Sequence, residues 1–199
     1  TPDLKEHCVR VNNSARAMMI TPTVLEDEMV GIVQEGLKAY SSNTAVYIRP
    51  MYWALEGDEL AIVPKAGSTG FAICLEEIPM SDLSATSTLT TTSFRRPVLQ
   101  DNVVNAKAGC LYPNNARMLM EAKSKGFGNA LVADFAGNVA ETATANIFMA
   151  IDNEVYTPIP NGTFLAGITR SRHISNFKKN GVTVHEKVLS FEDFHAADE

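Results

Sequence analysis

The chain has 199 residues, 45% of them apolar, and a net charge of −6. That suffices for one sizeable core or two small ones, and the scattered Lys and Arg form no basic patch able to neutralise phosphates, which excludes nucleic acid as an expected partner. The longest apolar stretches, Val46 to Leu55 and Gly70 to Leu75, are too short for a bilayer, no signal-peptide pattern opens the chain, and the odd, widely spaced Cys8, Cys74 and Cys110 read as free thiols in a reducing, cytoplasmic compartment.

Residues 4 to 40 are helical in pattern, broken at Thr21-Pro22, with Leu25, Met29, Ile32, Val33 and Leu37 forming one apolar stripe. Thr23 is positioned to cap the second helix, with Glu26 three residues on. From Thr44 the character turns to β, through Thr44 to Leu55, Leu60 to Val63, Gly70 to Glu77 and Thr88 to Phe94. Between the last two, Pro79, Ser81 and Asp82 interrupt the pattern, so a small α/β domain is expected over 1–78, a linker over 79–84 and a larger domain over 85–199.

Helical character returns from about Cys110 to Lys125, where Pro113 fits the first turn and Gly126 the stop. A β meander or pseudo-barrel, flanked by helices, is expected next: Ala130 to Asp134, Val139 to Thr142, Asn146 to Ile151 and Val155 to Thr157, with turns at Ala136-Gly137-Asn138 and Asp152-Asn153. A helix opening at Gly167-Ile168-Thr169 runs to about Lys179 and ends at Gly181. Strand Val182 to Val188 and a short helix capped by Ser190 close the chain.

Three segments carry the chemistry when taken together: Asn105-Ala106-Lys107-Ala108-Gly109, Val139 through Phe148 with Glu141 inside it, and Leu165 through Arg170. In this order and spacing they resemble the class IV aminotransferases, the fold type IV pyridoxal phosphate enzymes, and among these the branched-chain amino acid aminotransferases. Val46-Tyr47-Ile48-Arg49-Pro50 agrees, as do Glu6, His7, Arg10, Ser14 and Ala15. The resemblance implies a two-domain α/β fold.

It also implies a role for each matching position, and each role suits what pyridoxal phosphate requires. Lys107 is implied as the Schiff-base lysine and as the base that moves the Cα proton. Glu141 is implied as the carboxylate at the pyridine nitrogen, where opposite charge keeps the ring protonated. Tyr112 matches the partner of the ring hydroxyl, and Thr144 a small or hydroxyl residue beside the cofactor. Backbone N–H groups of Ile168 and Thr169, with the Thr169 hydroxyl, would form part of a phosphate cradle at a helix N-terminus. Arg10, three residues after His7, matches a phosphate-binding arginine. Tyr47 and Arg49, two apart on a strand and so on one face, match the residues that meet the substrate carboxylate.

The expected reaction is transfer of an amino group between a branched-chain L-amino acid and 2-oxoglutarate, in a homodimer or higher homo-oligomer. Readings that keep the fold but change the outcome are a D-amino acid or (R)-amine transaminase and a catalytically silent member. Family subunits are longer at both ends, so the first strands of the small domain and a second phosphate-binding turn are expected outside these 199 residues. Cys110 departs from the glycine usual there. Alone, Lys107 would read as a solvated surface lysine, and only its company reverses that. The histidines His7, His173, His185 and His195 lack metal-ligand spacing, so no metal is expected.

Overall fold

The structure is a computed structural model describing residues 2–80, 82 and 84–199. Ser81 and Leu83, within the expected linker, lie outside the described residues. By compactness the chain divides into two units, Thr1–Ala85 and Thr86–Glu199. No helix among the described residues is long and apolar enough to cross a membrane.

In the first unit, helices α1 (Leu4–Ala17) and α2 (Glu26–Leu37) pack on an antiparallel pair, β1 (Val46–Ala54) and β2 (Thr69–Glu77). Met29 and Val33, one turn apart on α2, are fully buried, whereas Leu25 is 73% exposed and Ile32 44% exposed. The buried stripe is therefore narrower than the apolar pattern. Close approach fixes the packing: a Cβ on Gly36 would stand 2.5 Å from Leu75 Cδ1, and one on Gly70 would stand 2.3 Å from the Trp53 ring.

Two local expectations fail in this unit, each because a side chain chooses another partner. Thr23 does not cap α2; Leu25 is its N-cap, and the Glu26 carboxylate accepts from Asn12 Nδ2 on α1 at 2.9 Å instead. Residues 60–63 are no strand either. Asp58 Oδ1 accepts from the N–H groups of Ile62 and Val63, Asp58 N–H donates to Val63 O, and Ala61 takes a positive φ, so the segment closes into a turn.

The second unit is built from two similar pieces. In the first, β3 (Leu89–Arg95) runs through α3 (Tyr112–Ser124) to a parallel neighbour β4 (Asn129–Ala133), and β5 (Val139–Thr142) returns antiparallel. In the second, β6 (Met149–Ile151) and β7 (Glu154–Pro158) form a hairpin, and β7 runs through α4 (Ile168–Lys179) to a parallel β8 (Val184–Lys187). The expected succession of antiparallel strands is thus divided between two three-stranded sheets, each joining one hairpin to one parallel crossover.

Sequence explains most of these boundaries. Asp134 Oδ1 accepts from the N–H groups of Ala136 and Asn138 and Gly137 has φ +92°, which makes the β4–β5 turn. Asp152 and Asn153 both have positive φ, the requirement of a two-residue hairpin loop. Gly126 and Gly181 end α3 and α4 with positive φ. Ser190 and Asp193 form a capping box on α5 (Phe191–His195). β6 begins three residues later than expected, because Asn146 spends its side chain on tertiary hydrogen bonds described below.

The core of this unit sets Met118 and Ala122 of α3 against Ala130 and Val132 of β4 and Ala143 just beyond β5, with Phe94 and Leu119 at its margin. α3 is also pinned to β3 through Glu121. Its carboxylate is held down to about 2 by Lys125 and by the Thr92 and Ser93 donors.

Candidate active site

All four residues of β5 are buried, including Glu141, which is 8% exposed. The β4–β5 register slips by one residue between Val132 and Ala133, so Val132 faces Glu141, Ala133 faces Val139, and Ala140 is left without a partner. An irregularity of this kind bends a strand and re-aims its side chains. Both Glu141 oxygens are occupied: Oε1 lies 3.0 Å from Arg96 Nε, and Oε2 accepts from Asn146 Nδ2 at 3.1 Å.

Arg96, immediately after β3, carries no mark in the sequence, yet it organises this region. It is 7% exposed, and its Nη1 donates to Asn115 Oδ1 of α3 at 2.6 Å while Nη2 donates to the carbonyls of Thr142 and Ala143. The Nε–H does not point along the line to Glu141, so that contact is an ion pair rather than a hydrogen bond. Burial pushes the Glu141 carboxyl up to about 7, outweighing the attraction of Arg96 and then of Lys107.

In the chain without ligand, folded Glu141 holds its proton more tightly than the unfolded residue does, whose ordinary value is 4.5. Below 4.5 both states are protonated; between 4.5 and about 7 only the folded state retains the proton, so stability falls as pH rises through that window. The loss is of order 3 kcal/mol above the window. Urea unfolding across this range should therefore show the wild-type chain losing about that much more than Glu141→Gln. Parallel pH dependences in the two proteins would contradict the assignment.

Asn146 links Glu141 to the start of α4. Besides Glu141, Nδ2 donates to Leu165 O at 3.1 Å, and Oδ1 accepts from Gly167 N–H at 3.0 Å. A Cβ on Gly167 would stand 2.3 Å from that Oδ1, so only glycine admits the contact. Gly167 is also the N-cap of α4 and has no side chain to cap it. The leading N–H groups of the helix, Ile168 and Thr169 among them, have no partner within the helix itself. Behind them the buried Arg170 anchors α4, its Nη2 donating to Pro158 O and to Glu186, both at 2.9 Å.

Lys107 lies in the connection from β3 to α3, exposed between the buried Ala106 and Ala108. Its charge acts on Glu141, which brings the two residues into one electrostatic neighbourhood. Lys107 and Gly167 both follow the carboxyl ends of parallel strands, β3 and β7, where α/β folds place ligands. Tyr112 is the first residue of α3 and 56% exposed. Thr144, three residues past Glu141, is exposed and accepts from Asn129 Nδ2 at 3.0 Å.

The remaining predicted residues belong to the first unit. Arg10 lies on α1, with Nη2 3.1 Å from His7 Nδ1. Tyr47 and Arg49 share one exposed face of β1, with the guanidinium carbon 5.9 Å from the centre of the Tyr47 ring. Tyr52, on the opposite face, donates to Val24 O and accepts from Val24 N–H.

The sequence profile described as Amino-transferase class IV matches residues 1–199. The chain belongs to the class IV aminotransferases. This class IV chain is similar to a solved aminotransferase from Brucella abortus bound to the cofactor PLP, with 59% identity and a TM-score of 0.98 over 100% of this chain and 71% of that one. It is similar to the solved branched-chain amino acid aminotransferase of Escherichia coli, at 28% identity and a TM-score of 0.87 over 98% of this chain and 64% of that one. A Rickettsia typhi protein named "Probable branched-chain-amino-acid aminotransferase" is 35% identical over 94% of this chain and 64% of its own length. The class IV chain thus spans 64% of the length of that curated relative and likewise of the Escherichia coli one.

The donor set of this class IV chain suits pyridoxal phosphate. It offers an amine at Lys107, a buried carboxylate in reach of that charge, and a helix N-terminus capped only by a glycine.

Proposed function

We propose that this chain carries the site of a pyridoxal phosphate-dependent transaminase that moves the amino group of a branched-chain L-amino acid to 2-oxoglutarate. One observation above all supports this reading: the buried Glu141 carboxylate is within the charge of Lys107 and tied by Asn146 to the first turn of α4. When bound, pyridoxal phosphate supplies the electron sink that stabilises negative charge at the substrate Cα.

The chain's own groups divide the remaining work. Lys107 holds the cofactor through its amine and carries the proton at the substrate Cα. Glu141 would meet the ring nitrogen, where its negative charge would keep the proton. The Tyr112 hydroxyl would meet the ring oxygen, and Thr144 would lie beside the ring. Backbone N–H groups of Ile168 and Thr169, with the Thr169 hydroxyl, hold phosphate oxygens. In the first unit, Arg10 is proposed for phosphate and the Tyr47–Arg49 pair for the substrate carboxylate, roles a guanidinium fills by its paired donors. We assign the 1–78 region to a small domain and 85–199 to the cofactor domain, and expect a cytoplasmic homodimer or higher homo-oligomer.

Amino-donor preference tests the reading. Protein loaded with pyridoxal phosphate should lose its visible absorption on mixing with L-valine at least about tenfold faster than with D-alanine or an (R)-amine, the discrimination that contacts worth about 1.4 kcal/mol supply. Preference for either of the latter would overturn the branched-chain assignment, and protein that stays colourless with added cofactor would overturn the enzyme assignment.

A further inference from the structure

The side chain of Asn146 uses every hydrogen-bonding direction that matters at the site. It donates to Glu141 Oε2 and to Leu165 O, each at 3.1 Å, and accepts from Gly167 N–H at 3.0 Å. A primary amide can do this because it carries two donors and one acceptor oxygen on a single plane. Aspartate has no donor for Glu141, and leucine has neither group. Gly167 complements it from the other side, since any Cβ there would occupy the place of Asn146 Oδ1. Thr142, meanwhile, folds the chain between Glu141 and Asn146: its hydroxyl accepts from Ala145 N–H and donates to Ala145 O, both at 2.9 Å, which sends residue 146 back beside the carboxylate.

We propose that Asn146 is a positioning residue that sets the Leu165–Gly167 turn at a fixed separation from Glu141, so that the ring end and the phosphate end of one cofactor are met together. The proposal rests on the transaminase reading above and adds to it the element that joins its two halves. Asn146 would touch neither the reacting carbon nor the phosphate. It acts through the carboxylate on one side and through the start of α4 on the other.

The two ends are separated experimentally by comparing pyridoxal phosphate with pyridoxal, which lacks the phosphate. The ratio of the dissociation constant of pyridoxal to that of pyridoxal phosphate reports how well the phosphate end is met, independently of damage common to both. Asn146→Ala should lower that ratio by about tenfold, the loss expected when a hydrogen bond that aligns a charged contact is removed. Gly167→Ala displaces the same contact from the opposite side and should lower the ratio similarly, which keeps the test intact if the first variant does not fold. The double variant should fall no further than either single one, because both break one contact. An unchanged ratio in the folded variants, or additive losses, would overturn the positioning role while leaving the transaminase reading standing. Failure of the unsubstituted chain to bind pyridoxal phosphate would overturn that reading and this proposal together.

Discussion

Lys107→Ala should lower amino transfer by at least about 10⁴-fold, because one side chain is assigned both covalent attachment of the cofactor and movement of the Cα proton. The cost to folding should be small, about 1 kcal/mol or less, since the side chain is exposed and its charge is one of two that act on the buried Glu141. Lys107→Arg should be equally inactive, although it retains the positive charge beside Glu141. A guanidinium is never neutral at working pH and cannot serve as nucleophile or base. Steady-state assay and urea unfolding of both variants check this pair of outcomes. Retention of more than about a hundredth of the wild-type rate in either variant would place the chemistry elsewhere.

Arg96→Met should be the most destabilising exchange at the site, by about 3 to 5 kcal/mol at a pH well above 7, where Glu141 is ionised beside Arg96. The reason is what it leaves behind. Glu141 would lose the ion-pair partner at its Oε1, while Asn115 Oδ1 and the Thr142 and Ala143 carbonyls would lose their donors. A buried carboxylate without a partner is far more costly than a pair removed as a whole. Accordingly Arg96→Met combined with Glu141→Gln should recover part of the loss, and the two changes should be strongly non-additive. Chemical denaturation of the four proteins of this cycle provides the test. A single-variant loss below about 1 kcal/mol, or simple additivity, would mean that Arg96 does not support Glu141.

Much of the architecture is written locally. Gly126 and Gly181 end helices by adopting positive φ, Asp152 and Asn153 make a two-residue loop, and Ser190 with Asp193 completes a capping box; each is readable from a few adjacent residues. Where the sequence misleads, a polar side chain has a distant partner. Glu26 leaves the expected cap for Asn12, fourteen residues away, and Asn146 leaves the expected strand for Glu141, Leu165 and Gly167. The segment 60–63 fails differently. Its apolar residues fit a strand by composition, but the Asp58 carboxylate folds their backbone into a turn, leaving Leu60 and Ile62 exposed.

The candidate site divides in the same way. Lys107, Glu141 and the Gly167-Ile168-Thr169 turn stand out in sequence through their resemblance to the class IV aminotransferases, and Lys107 and Glu141 are electrostatic neighbours in the structure. Arg96 and Asn146 carry no such mark. Arg96 is one of two adjacent arginines before a proline, and its partners lie 19 to 47 residues further along the chain. Asn146 was visible within its segment, but not its contact with a glycine 21 residues later. Tertiary hydrogen bonds of this kind leave no periodic trace, and only the absent Cβ at Gly167 hints at the close approach.

On this reading Lys107 is the amine that takes the cofactor. This is tested most directly by incubating the wild-type chain with pyridoxal phosphate, reducing with borohydride, and locating the added mass by peptide mapping. The expected result is a single modified residue, Lys107, with loss of the label in Lys107→Ala. Label spread over Lys123, Lys125, Lys178 and other surface lysines, or a protein with no stable label, would contradict it.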